Sequence, residues 1–177
     1  FNYPIIPGHE WSAEVMEVGS KVSKLKAGDR VVGECVIGQE HFGFSISGAM
    51  AEFFIAKADW LHKLPDNVSW TQGALVEPFS CGYYATVRAE NMDASDTVAV
   101  FGAGPIGLGV IAAAAAKGAR VIVIEPSADR AKIAQSLGAE IVIDPIRQNT
   151  KDAVMDATKG VGATVVIEAS GRPEAMA

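Results

Sequence analysis

One six-residue motif constrains this chain more than any other feature. Gly102-Ala103-Gly104-Pro105-Ile106-Gly107 is a GxGxxG that directly follows the apolar run Val98–Phe101 and opens a helix predicted over Ile106–Lys117. A strand, a glycine turn and a helix in that order begin a βαβ unit. The three glycines differ in what they allow. Gly102 permits the tight turn, Gly104 lets the backbone come close to a pyrophosphate, and Gly107 lets the helix pack on the strand. The helix N-terminus then offers N–H groups and the positive end of its dipole to phosphates. Gly102, Gly104, Pro105, Ile106 and Gly107 are therefore candidate dinucleotide-binding residues.

The residues beyond the motif support that reading. A second strand, Val121–Ile124, ends in Glu125, 18 positions past Gly107, against an expected spacing of about 20. A carboxylate there can hydrogen-bond ribose hydroxyls and repels a 2′-phosphate, which predicts NAD over NADP. Arg130 is the competing feature, because an arginine can pair with a 2′-phosphate; its other roles are as a partner for Glu125 or a cover over the adenine. A helix over Ala128–Leu137 with Gly138 as its stop, a strand Ile141–Ile143, a helix around Lys151–Ala157 and a strand Thr164–Glu168 complete the alternation. Strands alternating with helices give a parallel sheet and an α/β class.

Before Thr97 the rhythm is different. Strands are predicted over Trp11–Val18, Arg30–Ile37, Ala49–Ala58 and Leu61–Leu64, with Val31, Val32, Phe53, Phe54 and Ile55 as the residues suited to a pleated surface. Ser69 can cap a helix from Trp70 to about Arg88, which Gly73 and Pro78 break near its middle. The change of rhythm falls near Asn91–Ser95 and divides the chain into residues 1–92 and 93–177. A formal charge of −6 without a basic cluster disfavours nucleic acid and anionic membrane surfaces as partners. The run Gly109–Ala116 is far shorter than the roughly 20 residues that span a bilayer, and two distant cysteines make no disulfide framework. A cytoplasmic protein acting on small molecules is expected.

Several ordered motifs then carry a family resemblance. Pro7-Gly8-His9-Glu10 is followed by Val18-Gly19, Gly28-Asp29-Arg30-Val31, Lys63-Leu64-Pro65-Asp66-Asn67 and Glu77-Pro78, ahead of the GAGPIG turn. Together they resemble the medium-chain dehydrogenase/reductase superfamily, and within it the zinc-dependent alcohol dehydrogenase family, most of all its sorbitol, threonine and other polyol dehydrogenases. The resemblance implies a partial GroES-like β-barrel catalytic domain with a linking helix over 1–92, followed over 93–177 by the first half of a Rossmann doubly wound sheet that binds NAD. It implies one catalytic Zn2+, hydride transfer from a secondary alcohol or polyol to NAD, and a homo-oligomeric parent protein, dimer or tetramer.

In that family the histidine of the GHE motif is a zinc ligand and its glutamate an alternative one, roles that pass to His9 and Glu10; Glu77 stands where family members place a cysteine or glutamate facing the metal. Imidazole nitrogen and carboxylate oxygen are ordinary zinc donors, and a catalytic site keeps one position open. Cys81 matches a position near the nicotinamide and is left out of the metal set; Ser170 falls in a segment beside the adenine ribose. His41 and His62 lie outside the ligand motifs, and Trp11 and Phe79 are expected in packing.

The chain also departs from the family. The cysteine that is the family's first zinc ligand, and the Ser or Thr near it, belong upstream of the GHE motif, and this sequence begins at Phe1. The four-cysteine lobe that holds a structural zinc in many relatives is represented only by Cys35, so a structural zinc is not predicted. The later strands of the sheet would follow Ala177, which leaves an open edge. Two alternatives stand beside the zinc dehydrogenase: a zinc-independent quinone or enoyl reductase of the same superfamily, and a non-catalytic nucleotide-binding fragment. Retention of His9, Glu10 and Glu77 together argues against the first.

Overall fold

The structure is a computed structural model that describes residues 3–89 and 92–176; Asn91, at the edge of the expected boundary, lies outside the described residues. Compactness divides the chain into two units, 1–77 and 78–177, so that the division falls within the long helix, whereas the change of strand rhythm comes after residue 92.

In the first unit β1 (Ala13–Glu14), β2 (Arg30–Gly33) and β5 (Leu61–Lys63) form an antiparallel sheet in the order β1-β2-β5, and β3 (Val36–Ile37) and β4 (Glu40–His41) form a two-stranded ribbon. Val31 and Val32 of β2, flanked on both edges, are buried with Leu25, Phe42 and Leu64. Trp11 packs edge-on to Phe54 with ring centroids 4.8 Å apart and lies 5.9 Å from Phe42. The packing role expected of Trp11 is thus the one observed. Arg30 ties the sheet to the following loop: its guanidinium donates to the carbonyls of Asp66 and Val68 and lies 4.3 Å from the Trp70 ring.

One expectation is corrected here and another is refined. Ala49–Ala58 is not a strand: Gly48, Ala49 and Met50 donate to the carbonyls of Ile6, Gly8 and Pro7, the chain then bends, and residues 51–58 form no ladder among the described residues. The alternation survives without the pairing, for Phe54 turns inward to Trp11 while Phe53 and Ile55 face outward. The expected break in the 70–88 helix is present and falls at Leu75, between Gly73 and Pro78 rather than at Pro78 itself. α1 (Trp70–Ala74) ends at Leu75, and α2 runs unbroken over Val76–Arg88. Pro78 is tolerated because it sits in the first turn, where a backbone N–H would have no intrahelical acceptor. Ser69 caps α1 in the expected way, its hydroxyl accepting from the Gln72 N–H while the Gln72 side chain accepts from the Ser69 N–H.

The second unit is a four-stranded parallel sheet of β6 (Thr97–Phe101), β7 (Arg120–Ile124), β8 (Ala139–Ile143) and β9 (Val165–Glu168), in spatial order β8-β7-β6-β9. The helices α3 (Pro105–Ala116), α4 (Ala128–Ser136) and α5 (Thr150–Ala157) are its crossovers. This is the first half of the doubly wound order, and the reversal between β6 and β9 is its switch point. Val98, Val100, Val121, Ile122 and Val123 have no exposed surface. Covered faces and paired edges explain why their sequence reads as continuous apolar runs. α2 meets α3 at glycines: a Cβ on Gly82 would lie 2.7 Å from the Gly109 carbonyl carbon. Among the described residues no helix is long and apolar enough to cross a membrane.

Candidate functional sites

The dinucleotide site stands at the C-terminal ends of β6, β7 and β9. Gly102 leaves β6 with φ +94°, a conformation that L side chains rarely adopt, and a Cβ there would lie 2.9 Å from the Ser170 Cα. At Gly107 a Cβ would run into the Gly102 carbonyl, so α3 can pack here only on glycine. Gly104 differs: it is the N-cap of α3, no side chain caps it, and a Cβ built on it meets nothing within 4 Å. The space beside it opens into a cavity of about 1080 Å³ lined by Gly102, Gly104, Pro105, Glu125, Arg130 and Ser170 among others. Pro105 takes the first helical position, where its missing N–H costs nothing. Ile106 is partly exposed on the same turn, and Gly107 is buried behind it.

Glu125 is buried at the end of β7, yet both its oxygens are satisfied. One accepts from the Ala103 N–H at 2.8 Å, the other from the Ser127 N–H at 2.8 Å. The carboxylate thereby braces the glycine turn from below, and each oxygen retains acceptor capacity toward the cavity. Arg130 is exposed on the cavity wall. Glu168, at the end of β9, accepts from the N–H groups of Ser170 and Gly171 and from the Ser170 hydroxyl. The Ser170 donors hold its carboxyl below the ordinary range. An uncapped helix start, an open glycine and a braced carboxylate together fit a dinucleotide.

The second site lies wholly within residues 1–77. Its framework is backbone packed on backbone. A Cβ on Gly43 or on Gly48 would collide with the Gly8 carbonyl, and one on Gly8 would lie 2.9 Å from the Met50 nitrogen. The turn after β4 is closed by the His41 carbonyl, which accepts from Phe44, Ser45 and Ile46. This close approach brings the Phe44 ring to 4.6 Å from that of His9. Glu77 arrives from the first turn of α2, where the helix dipole favours a carboxylate. Its Oε2 lies 3.9 Å from His9 Nε2, and Glu10 Oε1 lies 4.0 Å from the same nitrogen. Burial pushes the Glu77 carboxyl above its ordinary value; His9 opposes that shift and the Glu10 charge adds to it.

The donor atoms that cluster are those of His9, Glu77 and Cys35, all within 4.8 Å of one another. Cys35, which follows β2, was not a candidate from sequence. In the chain Cys35 is far from the other cysteine, and only the fold brings its sulfur near His9 and Glu77. Glu10 sits at the border of this cluster with its side chain about half exposed. Donors around one zinc lie about 3.5 Å apart by ordinary bond lengths, so the cluster needs only small side-chain adjustments to fit such an ion. His62 pairs instead with Glu34 at 2.8 Å on the surface, and His41 is exposed. Cys81 and Phe79 lie on α2 and are exposed.

Residues 1–66 match the alcohol dehydrogenase GroES-like domain, and residues 105–177 match the zinc-binding dehydrogenase family. The chain belongs to the zinc-dependent alcohol dehydrogenase family. Within it the similarity runs to enzymes of diols and sugar alcohols. The chain is 40% identical to the (R,R)-butanediol dehydrogenase of Bacillus subtilis, over 96% of this chain and 53% of the relative. It is 34% identical to the D-arabitol-phosphate dehydrogenase of Enterococcus avium, over 98% and 55%. The crystal structure of the B. subtilis 2R,3R-butanediol dehydrogenase superimposes with a TM-score of 0.88, covering 98% of this chain and 54% of that one at 38% identity. The chain thus spans about half the length of the curated relatives it matches. The alignment with the arabitol-phosphate enzyme runs over 193 positions, more than the 177 residues present, so that relative carries segments this chain lacks.

Proposed function

We propose that this chain supplies the zinc-binding and NAD-binding parts of a dehydrogenase that oxidises a secondary alcohol or polyol. The carrying observation is the convergence of His9 and Glu77, from segments far apart in sequence, to 3.9 Å in a family whose relatives act on diols and sugar alcohols. Residues 1–92 serve as the catalytic part with its linking helix and 93–177 as the cofactor-binding part. The metal would supply Lewis-acid polarisation of an alcohol, and the nicotinamide the hydride acceptor. His9 and Glu77 would hold the ion, with Glu10 as the carboxylate beside them. The α3 N-terminus with Gly102, Gly104, Pro105 and Ile106 receives the pyrophosphate, Gly107 keeps the helix close to the strand, and Glu125 binds ribose hydroxyls. Arg130 covers the adenine side of the cavity. The proposed location is the cytoplasm, and a homo-oligomeric parent fits the exposed Val166 on the edge strand β9.

The test measures zinc per subunit and NAD reduction with butane-2,3-diol, sorbitol, threonine and simple alcohols. One zinc per subunit with activity on a vicinal diol or polyol is expected, both lost in His9→Ala while NAD still binds. Zinc-free protein that reduces a conjugated acceptor with NADPH would replace this reading by a zinc-independent reductase. Zinc-free protein that only binds NAD would leave a nucleotide-binding module.

A further inference from the structure

We infer that Cys35 is a metal ligand of this chain, its thiolate joining the His9 imidazole and the Glu77 carboxylate in a Cys/His/Glu site. The inference rests on the zinc reading above and adds to it a donor that no family motif supplies. Three observations carry it. The ligating atoms of Cys35, His9 and Glu77 lie within 4.8 Å of one another, and this is the one mixed cluster of that kind among the described residues. The three come from separate segments, the Gly8–His9 loop, the turn between β2 and β3, and the first turn of α2, so they converge only through the fold. The backbone around Cys35 is also pinned: the Glu34 N–H donates to the Trp60 carbonyl at 3.0 Å, and the Cys35 carbonyl accepts from the Phe42 N–H at 2.9 Å. The thiol is thus presented from a fixed position.

Chemistry favours the thiol over the nearby Glu10 as third donor. One sulfur, one nitrogen and one carboxylate oxygen make a donor set suited to zinc. Glu10, half exposed, stands within 4.0 Å of His9 Nε2 but outside the mutual cluster, where it can act as an exchanging outer carboxylate. The Cys35 thiol donates to the Phe42 carbonyl at 3.8 Å, a long contact that a metal–sulfur bond can displace. On binding, the thiol proton leaves to solvent and the sulfur lone pair bonds the ion, so affinity rises with pH.

Cobalt(II) in place of zinc gives a readout that does not depend on turnover, because a thiolate ligand produces an intense near-ultraviolet sulfur-to-cobalt absorption. The chain holds only two cysteines, so the source of any such band is decidable. The expected result is one cobalt per chain with that band. Cys35→Ser loses the band and weakens cobalt binding by about tenfold or more, Cys81→Ser keeps both, and Cys35→Asp restores affinity without the band. Retained far-UV dichroism and NAD binding in Cys35→Ser show that the chain still folds. Cobalt bound in a His9-dependent manner without the band, or with a band that persists in Cys35→Ser, overturns the assignment of Cys35 and leaves the zinc reading standing. Absence of His9-dependent cobalt binding overturns both.

Discussion

Val121–Ile124 and Phe53–Ile55 are two apolar stretches of similar residue type with opposite fates. In β7 the side chains of Val121, Ile122 and Val123 are wholly buried, whereas Ile55 is 96% exposed and Phe53 72%. The difference lies in neighbours. β7 has β6 on one edge and β8 on the other, in parallel register, with helices over its faces. The 53–55 segment has the period-two alternation of a strand and no ladder partner among the described residues. Apolar content alone therefore does not make a core; paired edges and covered faces do. The two units are held differently as a result. The sheet unit rests on a dense aliphatic core, and the first unit on glycine-to-glycine backbone contact, a small aromatic cluster and a few buried residues around β2.

The widest break of this comparison is one deletion made in both places. Ile122→Ala is expected to cost about 2–5 kcal/mol, the range for truncating a fully buried isoleucine. Ile55→Ala should stay within about 0.5 kcal/mol of the parent, as surface changes do. Urea denaturation followed by far-UV dichroism measures both. Equal costs would show that the 53–55 segment is packed in solution and that the contrast is false.

A ligand sharpens the same contrast from the other side. All three tryptophans, Trp11, Trp60 and Trp70, lie in the first unit, so tryptophan fluorescence reports that unit alone. Zinc at a hundred times its dissociation constant should raise the stability read by fluorescence by about 2.7 kcal/mol. The gain should vanish in His9→Ala. A zinc effect that survives His9→Ala would place the ion elsewhere.

The contrast also explains what could be read from sequence. The parallel sheet was legible because its strands carry their own signal: buried runs, a GxGxxG with three distinct steric duties, and Glu125 at the expected spacing. Each of those depends on residues within about 25 positions of one another. The first unit depends on distant pairings. Ala49–Ala58 has the composition of a strand but meets the 6–8 loop and bends, and Pro78 reads as a breaker until its place in a first turn is known. His9 and Glu77 could be named only through family motifs. Cys35 belongs to none of them, and its nearness to His9 follows from contacts between glycines 8, 43 and 48, which no local pattern encodes.

The smallest predicted effect separates what Glu77 does for the fold from what it does for a metal. Its carboxyl is raised above the ordinary value, chiefly by burial, so the folded chain holds that proton more tightly than the unfolded chain. The contribution is fully present below the unfolded value and is lost as pH rises through the folded one. In the metal-free chain the charged carboxylate is therefore a small burden at neutral pH, relieved in acid. Glu77→Gln imitates the protonated form and should modestly raise the metal-free fluorescence midpoint at neutral pH, with no gain where Glu77 is already protonated. Saturating zinc reverses the sign, because the same substitution then removes a ligand and most of the metal's stabilisation. Midpoints of the two chains at acid and neutral pH, with and without zinc, decide the matter. A Gln variant less stable than the parent even without metal would mean that the carboxylate makes net favourable contacts within the fold, and that its place beside His9 is structural before it is chemical.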